Sequence, residues 1–160
     1  MLLKALADAA EAFWKGPGAK PDVLWAIVNA LSDAAKGKTV GTRRVVELFE
    51  EAAEKVAASS RKGRGLVVIL DEAGKTLEYA AHHPSHGDVH LLQELAEAAN
   101  RSGDTPIVFA VLLHQGFEQY ASRLSVMQRN EWAKVQGRFE DVAFQEASEQ
   151  VLRLIGAAVE

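Results

Sequence analysis

Asp71 and Glu72 stand directly after the apolar run Leu66-Val67-Val68-Ile69-Leu70. Two adjacent carboxylates at the end of a buried strand are costly unless a cation or hydrogen-bond donors stand nearby. Carboxylates are also the side chains that hold Mg²⁺ and accept a proton from water. A second apolar run, Ile107 to Leu113, leads into His114 and Gln115, and Arg138 comes just before a short third run, Glu140 to Phe144. Ligands of open parallel sheets gather at the carboxyl ends of the strands, so these are the positions where chemistry is expected. Each has a plain alternative. The acidic pair could be a solvated turn, His114 an ordinary loop start, and Arg138 a salt-bridge partner of Glu140 or Asp141. A further cluster holds His82, His83, His86, Asp88 and His90. On one helix the four-residue spacing of His82, His86 and His90 would align three imidazoles for Zn²⁺. Pro84 and Gly87 interrupt that span, so a polar surface loop is expected instead.

The elements that must position these side chains are legible in outline. Met1 to Phe13 reads as an alanine- and leucine-rich helix, broken at Gly16-Pro17-Gly18. Pro21 suits the first turn of a second helix, with Asp22 favourable near its positive end and Leu24, Ile27, Val28 and Leu31 on one face. Thr42 is the expected N-cap of a third helix with the stripe Val45, Leu48, Phe49, Ala52 and Val56. After the basic, glycine-broken stretch Arg61 to Gly65, the five-residue apolar run predicts a strand buried on both faces. Asp88 can cap a helix carrying Val89, Leu92, Leu95, Ala96 and Ala99, closed by Gly103, and Asp104-Thr105-Pro106 launches the second strand. Strand, helix, strand over this distance implies a parallel, right-handed unit. Phe117, Tyr120, Ala121 and Leu124 mark one more helix. Ser125 and Gln128 form a capping box for the next, which buries Trp132 and Val135 and stops at Gly137. Glu140 to Phe144 reads as a third strand, and Ser148 caps a last helix with Val151, Leu152, Ile155 and Val159. Trp14, Trp25 and Trp132 read as helix-face core residues. The expected fold class is α/β: a parallel sheet of three or slightly more strands flanked by helices. An N-terminal helical region spans 1–60 and an α/β core 61–160, within one compact unit.

Four hydrophobic residues followed by Asp71-Glu72 resemble the Walker B motif of P-loop ATPases of the AAA+ type. The resemblance implies that Asp71 holds Mg²⁺, usually through water, and that Glu72 orients or deprotonates the attacking water. That family places a polar sensor residue after the following strand, where His114 and Gln115 stand. Gln136-Gly137-Arg138-Phe139-Glu140 resembles the Gly-Arg-Phe-Asp box that opens the family's last core strand. An arginine there reaches the γ-phosphate of the neighbouring subunit, which implies an oligomer. Arg123 and Arg129 are weaker candidates. The resemblance runs from about Gly65 to Glu160. Asp71 through Ala80, and Trp132 through Glu140, also look like segments of large bacterial ATP-binding proteins. Two departures stand out: Glu140 replaces the usual Asp, and the preceding Leu-Arg-Pro segment is missing. The implied cofactors are ATP and Mg²⁺, with Asp71 and Glu72 binding them.

A working phosphate loop needs Gly-x-x-x-x-Gly-Lys-Ser/Thr between a strand and a helix. Gly37-Lys38-Thr39 has Ser32 at the first glycine position and follows a predicted helix. Gly74-Lys75-Thr76 has Ile69 there, inside the strand. Neither qualifies. The expectation is therefore either a piece of a longer ATPase or a rewired sheet, inactive alone. A non-catalytic interaction or scaffold domain on a degenerate ATPase-like fold is the alternative. The 160 residues are enough for a real core. Without cysteine, disulfides and thiolate metal sites are excluded. A net charge of −4 gives no electrostatic footprint for nucleic acid, which only the family association would suggest. The acidic, alanine-rich start predicts no signal peptide, and no apolar run reaches spanning length. A cytoplasmic protein without membrane contact is expected.

Overall fold

The computed structural model describes residues 1–59, 63–82, 89–122 and 124–142. Among them the order is α1 (Leu2–Phe13), α2 (Asp22–Ala35), α3 (Thr42–Ala57), β1 (Leu66–Leu70), α4 (Ala73–His82), α5 (Val89–Arg101), β2 (Ile107–Val111), α6 (Phe117–Tyr120) and α7 (Val126–Gln136). The described fold is mostly helical, with one two-stranded parallel sheet. No helix among these residues is long and apolar enough to cross a membrane.

The N-terminal helices form where their stripes predict, with small shifts at the starts. Pro21 is the N-cap of α2 rather than part of its first turn, and Gly41, not Thr42, caps α3. Val45, Leu48, Phe49, Ala52 and Val56 are buried in a cluster with Leu6, Trp14, Leu24 and Ile27. Trp25 corrects the expectation for the tryptophans, since it is 58% exposed while Trp14 and Trp132 are buried. The same cluster takes Leu95 and Ala98 from α5, with Leu66, Val68 and Phe109 of the sheet packed against it. The helical region and the α/β part therefore share one core.

The strands pair in register, Leu66 with Ile107 through Leu70 with Val111. Alternation sends Leu66, Val68 and Phe109 toward α3 and α5. The expectation of burial on both faces is overturned, because Val67 is 71% and Ile69 63% exposed, with Val108 and Leu112 also exposed. A continuous apolar run signals a parallel strand, but what covers its second face lies outside the run. Residues 140–142 carry no strand. The rest of the expected third strand, the Ser148-capped helix, Asp88, Arg123 and the His83–His86 part of the histidine cluster lie outside the described residues. The box at Ser125 is present, Ser125 Oγ accepting from the Gln128 amide and the Gln128 side chain closing back on Ser125. Gly103 closes α5 with a left-handed φ of 50°.

Candidate functional site

The parallel register brings the carboxyl ends of β1 and β2 side by side. Two hydrogen bonds extend the pairing past the strands. The Leu112 amide donates to the Leu70 carbonyl at 3.0 Å, and the Ala73 amide donates to the Leu112 carbonyl at 3.3 Å. Asp71 and Glu72 are thus the exposed turn linking β1 to α4, held against the segment that runs on into His114. The hydrogen bond and ion pair with Lys75 hold the Glu72 carboxyl below its usual range, with a smaller electrostatic contribution from His114 across the two strand ends. Gln115 follows His114 in the same exposed loop.

Glu72 is the one described non-glycine residue with a positive φ, 52°. This left-handed conformation costs a non-glycine residue on the order of 1–2 kcal/mol. Local contacts hold it there. Asp71 Oδ1 accepts from the Glu72 amide at 2.8 Å, and Lys75 Nζ donates to Glu72 Oε2 at 2.7 Å. The Lys75 amide also donates to the Glu72 carbonyl at 3.2 Å. One carboxylate of the pair therefore braces the turn through an oxygen, and the other is tied to a lysine one helical turn on. Backbone strain of this kind gathers at ligand-binding turns.

α4 was not anticipated. It begins right after the acidic pair, and its Ala73, Leu77 and Ala80 are buried. The Ala73, Leu77, Ala80 spacing was the available signal, masked by Gly74, a poor helix former. Gly74 is buried beneath the Tyr120 hydroxyl, and a Cβ there would fall on that oxygen. Tyr120 is itself buried, and Phe117 of the same short helix packs on Trp132 at 5.5 Å. Helix α6 thus clamps the start of α4, and with it the turn bearing Asp71 and Glu72.

Arg138 stands apart from this rim. Its Nε lies 2.9 Å from Glu97 Oε1, and its carbonyl accepts from Asn100 Nδ2 at 3.3 Å. Both partners belong to the half of α5 that leads into the start of β2, the end of that strand remote from His114. Its partner is Glu97, not Glu140 or Asp141. Arg129 is on α7, where its amide donates to the Ser125 carbonyl at 2.9 Å.

Neither Gly-Lys-Thr triplet ends a glycine-rich loop between a strand and a helix; at residues 74–76 the first glycine position is Ile69, inside β1. Residues 37–39 come after α2, with Lys38 paired to Asp33 at 2.8 Å, and residues 74–76 lie in the first turn of α4. Among the described residues no group of three or more His, Asp or Glu gathers at metal-binding distance. A groove of about 280 Å³ between α4, α5 and α7 is lined by Ala80, His90, Gln93, Met127 and Trp132. It excludes Asp71, Glu72, His114 and Gln115, so the acidic pair sits on an open rim. Mg²⁺ is ordinarily held by one or two carboxylates plus phosphates and water, and Asp71 has an oxygen beyond the one bonded to Glu72. No family model, curated protein or solved structure matches the chain.

Proposed function

We propose that the rim formed by Asp71, Glu72 and His114-Gln115 is the Mg²⁺-binding and water-activating half of an ATP site of AAA+ type. The observation that supports it is the juxtaposition of the two strand ends, which sets the turn bearing Asp71 and Glu72 beside the segment leading into His114, with Glu72 within its electrostatic reach. Asp71 would hold Mg²⁺ through its free oxygen. Glu72 would orient and deprotonate a water once its ion pair with Lys75 opens. His114 or Gln115 would donate to the γ-phosphate. Bound Mg²⁺ supplies charge neutralisation of the phosphates. Arg138 cannot serve its own rim from beside Glu97, so it would act only in a neighbouring subunit or in the remainder of a larger ATPase. The phosphate cradle would come from outside the described residues.

This reading predicts weak binding by the chain alone. In an amide NMR titration with Mg-ATP, shifts should be confined to Asp71–Ala73 and His114–Gln115, with a Kd on the order of millimolar. Asp71→Asn should remove them. Shifts located elsewhere, or none, would overturn the assignment. Micromolar binding would overturn the view that the phosphate-binding part is missing.

The second reading, a non-catalytic scaffold, is favoured by the ion pairs that already occupy Glu72 and Arg138. It predicts that Glu72→Gln leaves every activity of the full assembly unchanged. The ATPase reading predicts loss of hydrolysis with nucleotide still bound.

A further inference from the structure

We propose that Lys75 is a phosphate-responsive latch, which holds Glu72 while the rim is empty and moves to the terminal phosphate of a bound nucleoside triphosphate, freeing the Glu72 carboxylate. This role for Lys75 rests on the nucleotide reading above and adds a phosphate-binding residue and a means of regulation to the same rim. The contacts that brace Glu72 in its left-handed turn are not equivalent. Its backbone amide donates to Asp71 Oδ1 at 2.8 Å, and its carbonyl accepts from the Lys75 amide at 3.2 Å. Its carboxylate is engaged separately, by Lys75 Nζ at 2.7 Å from Oε2. The turn can therefore keep its shape through the backbone bonds while the side chain is released.

Magnitudes favour release. The Lys75 and Glu72 side chains are 78% and 56% exposed. Ion pairs this open are weak, because water screens the charges and two long side chains lose freedom in forming them. A triphosphate presents several negative charges where Glu72 presents one, so it competes well for the same ammonium. The pair is thus strong enough to bias an empty rim and too weak to keep Lys75 from a phosphate.

The placement of Lys75 fits the task. It lies in the first turn of α4, whose Ala73 and Leu77 are buried in one cluster with Leu70 and Tyr120. The helix is thereby fixed against the strand end, while the exposed lysine stem is free to turn its ammonium from one acceptor to another. Lysine serves phosphates as a point charge and needs no fixed fork geometry. A base acting on the attacking water stands beside the terminal phosphate, so a cation drawn from that base meets the terminal phosphate first. Loading and activation are then coupled: the phosphate that is to be attacked is the group that uncovers the base.

A cycle of substitutions at these exposed positions tests the latch in the full chain, with affinities read from amide shifts at the rim. Glu72→Gln removes the charge that holds Lys75, so it should tighten Mg-ATP binding by about two- to fivefold, the range an exposed ion pair spans. In a Lys75→Met background the same substitution should give no gain, whereas in a Lys75→Arg background most of the gain should remain. Mg-ADP, which lacks the terminal phosphate, should bind alike to wild type and Glu72→Gln. An equal gain with and without Lys75 would trace the effect to a general loss of negative charge, overturning the latch while the rim reading stands. An equal gain for Mg-ADP would overturn the latch as well, because the terminal phosphate would not be what Lys75 meets. Rim shifts absent from every one of these chains would overturn the nucleotide reading and the latch together.

Discussion

Gly74 is the residue on which the geometry of the acidic turn depends most directly. The Tyr120 hydroxyl occupies the space a Cβ would need, so Gly74→Ala must push α6 away or tilt the first turn of α4. Overpacking of this kind typically costs about 1–3 kcal/mol, more than the gain in helix propensity of roughly 1 kcal/mol from replacing glycine. Urea denaturation should therefore show Gly74→Ala less stable than wild type. Tyr120→Phe in the same chain should restore part of the loss, because the ring carbon behind the hydroxyl is also close. A Gly74→Ala chain of unchanged stability would mean that α6 does not clamp α4. The acidic pair was legible in the sequence because Asp71 and Glu72 end an unbroken apolar run. In the sequence Lys75 stands in a chance Gly-Lys-Thr triplet and in the Asp71–Ala80 resemblance, neither of which pairs it with Glu72. Its role as the partner of Glu72 became visible once α4 set it one turn away. The left-handed φ of Glu72 had no local signal, because glycine or asparagine would be the expected residue there.

At the scale of elements, α7 is joined to α5 by both apolar and charged contacts. The ion pair Arg138–Glu97 closes its C-terminal end. Glu97 is held below the usual carboxylate range, first by the hydrogen bond from Gln93 and then by the charges of Arg138 and Arg101. A carboxylate whose folded-state pKa is depressed contributes stability above its unfolded pKa and loses it as pH falls through the folded one. Acidification through and below the ordinary carboxylate range should therefore loosen Gly137–Phe139 from α5 before the core opens. Amide-exchange protection at Arg138 and Phe139, taken relative to the intrinsic rate at each pH, should fall on the acid side, and Glu97→Gln should flatten that fall. A pH-independent protection there in wild type would show that the pair does not hold the end of α7. Most elements were legible because each writes a local period: the stripes of α1 to α3, the box at Ser125, the two apolar runs. The plain alternative for Arg138 looks to Glu140 and Asp141, which are near in sequence, whereas its partner Glu97 is far away. Of the strand expected over Glu140 to Phe144, residues 140–142 are described, and they pair with nothing in the described sheet.

Across the whole molecule, the boundary drawn at residue 60 divides two compositions but not two cores. Leu48 is fully buried, and its cluster reaches from Leu6 and Ile27 through Phe49 to Leu95 and Ala98 on α5. Leu2 and Phe109 pack against that cluster and also against the second one, built from Leu70, Leu77, Leu92, Tyr120 and Trp132. Neither the pairing of α3 with α5 nor the bare sheet face could be read from periodicity, because both depend on which distant segments meet. A shared core makes a thermodynamic claim. Leu48→Ala removes a fully buried side chain and should cost about 2–5 kcal/mol. If α1 to α3 and the sheet unfold together, that cost must be felt throughout. Amide exchange should then accelerate by similar factors in α3, in α5 and in β1, although β1 lies across the residue-60 boundary from most of the cluster. Urea unfolding followed by tryptophan fluorescence and by circular dichroism should give coincident curves, lowered in midpoint with an unchanged slope. Were the substitution to speed exchange only in α1 to α3 while β1 and β2 kept their protection, the helices would be a separate domain. The acidic rim would then be carried by the α/β part alone.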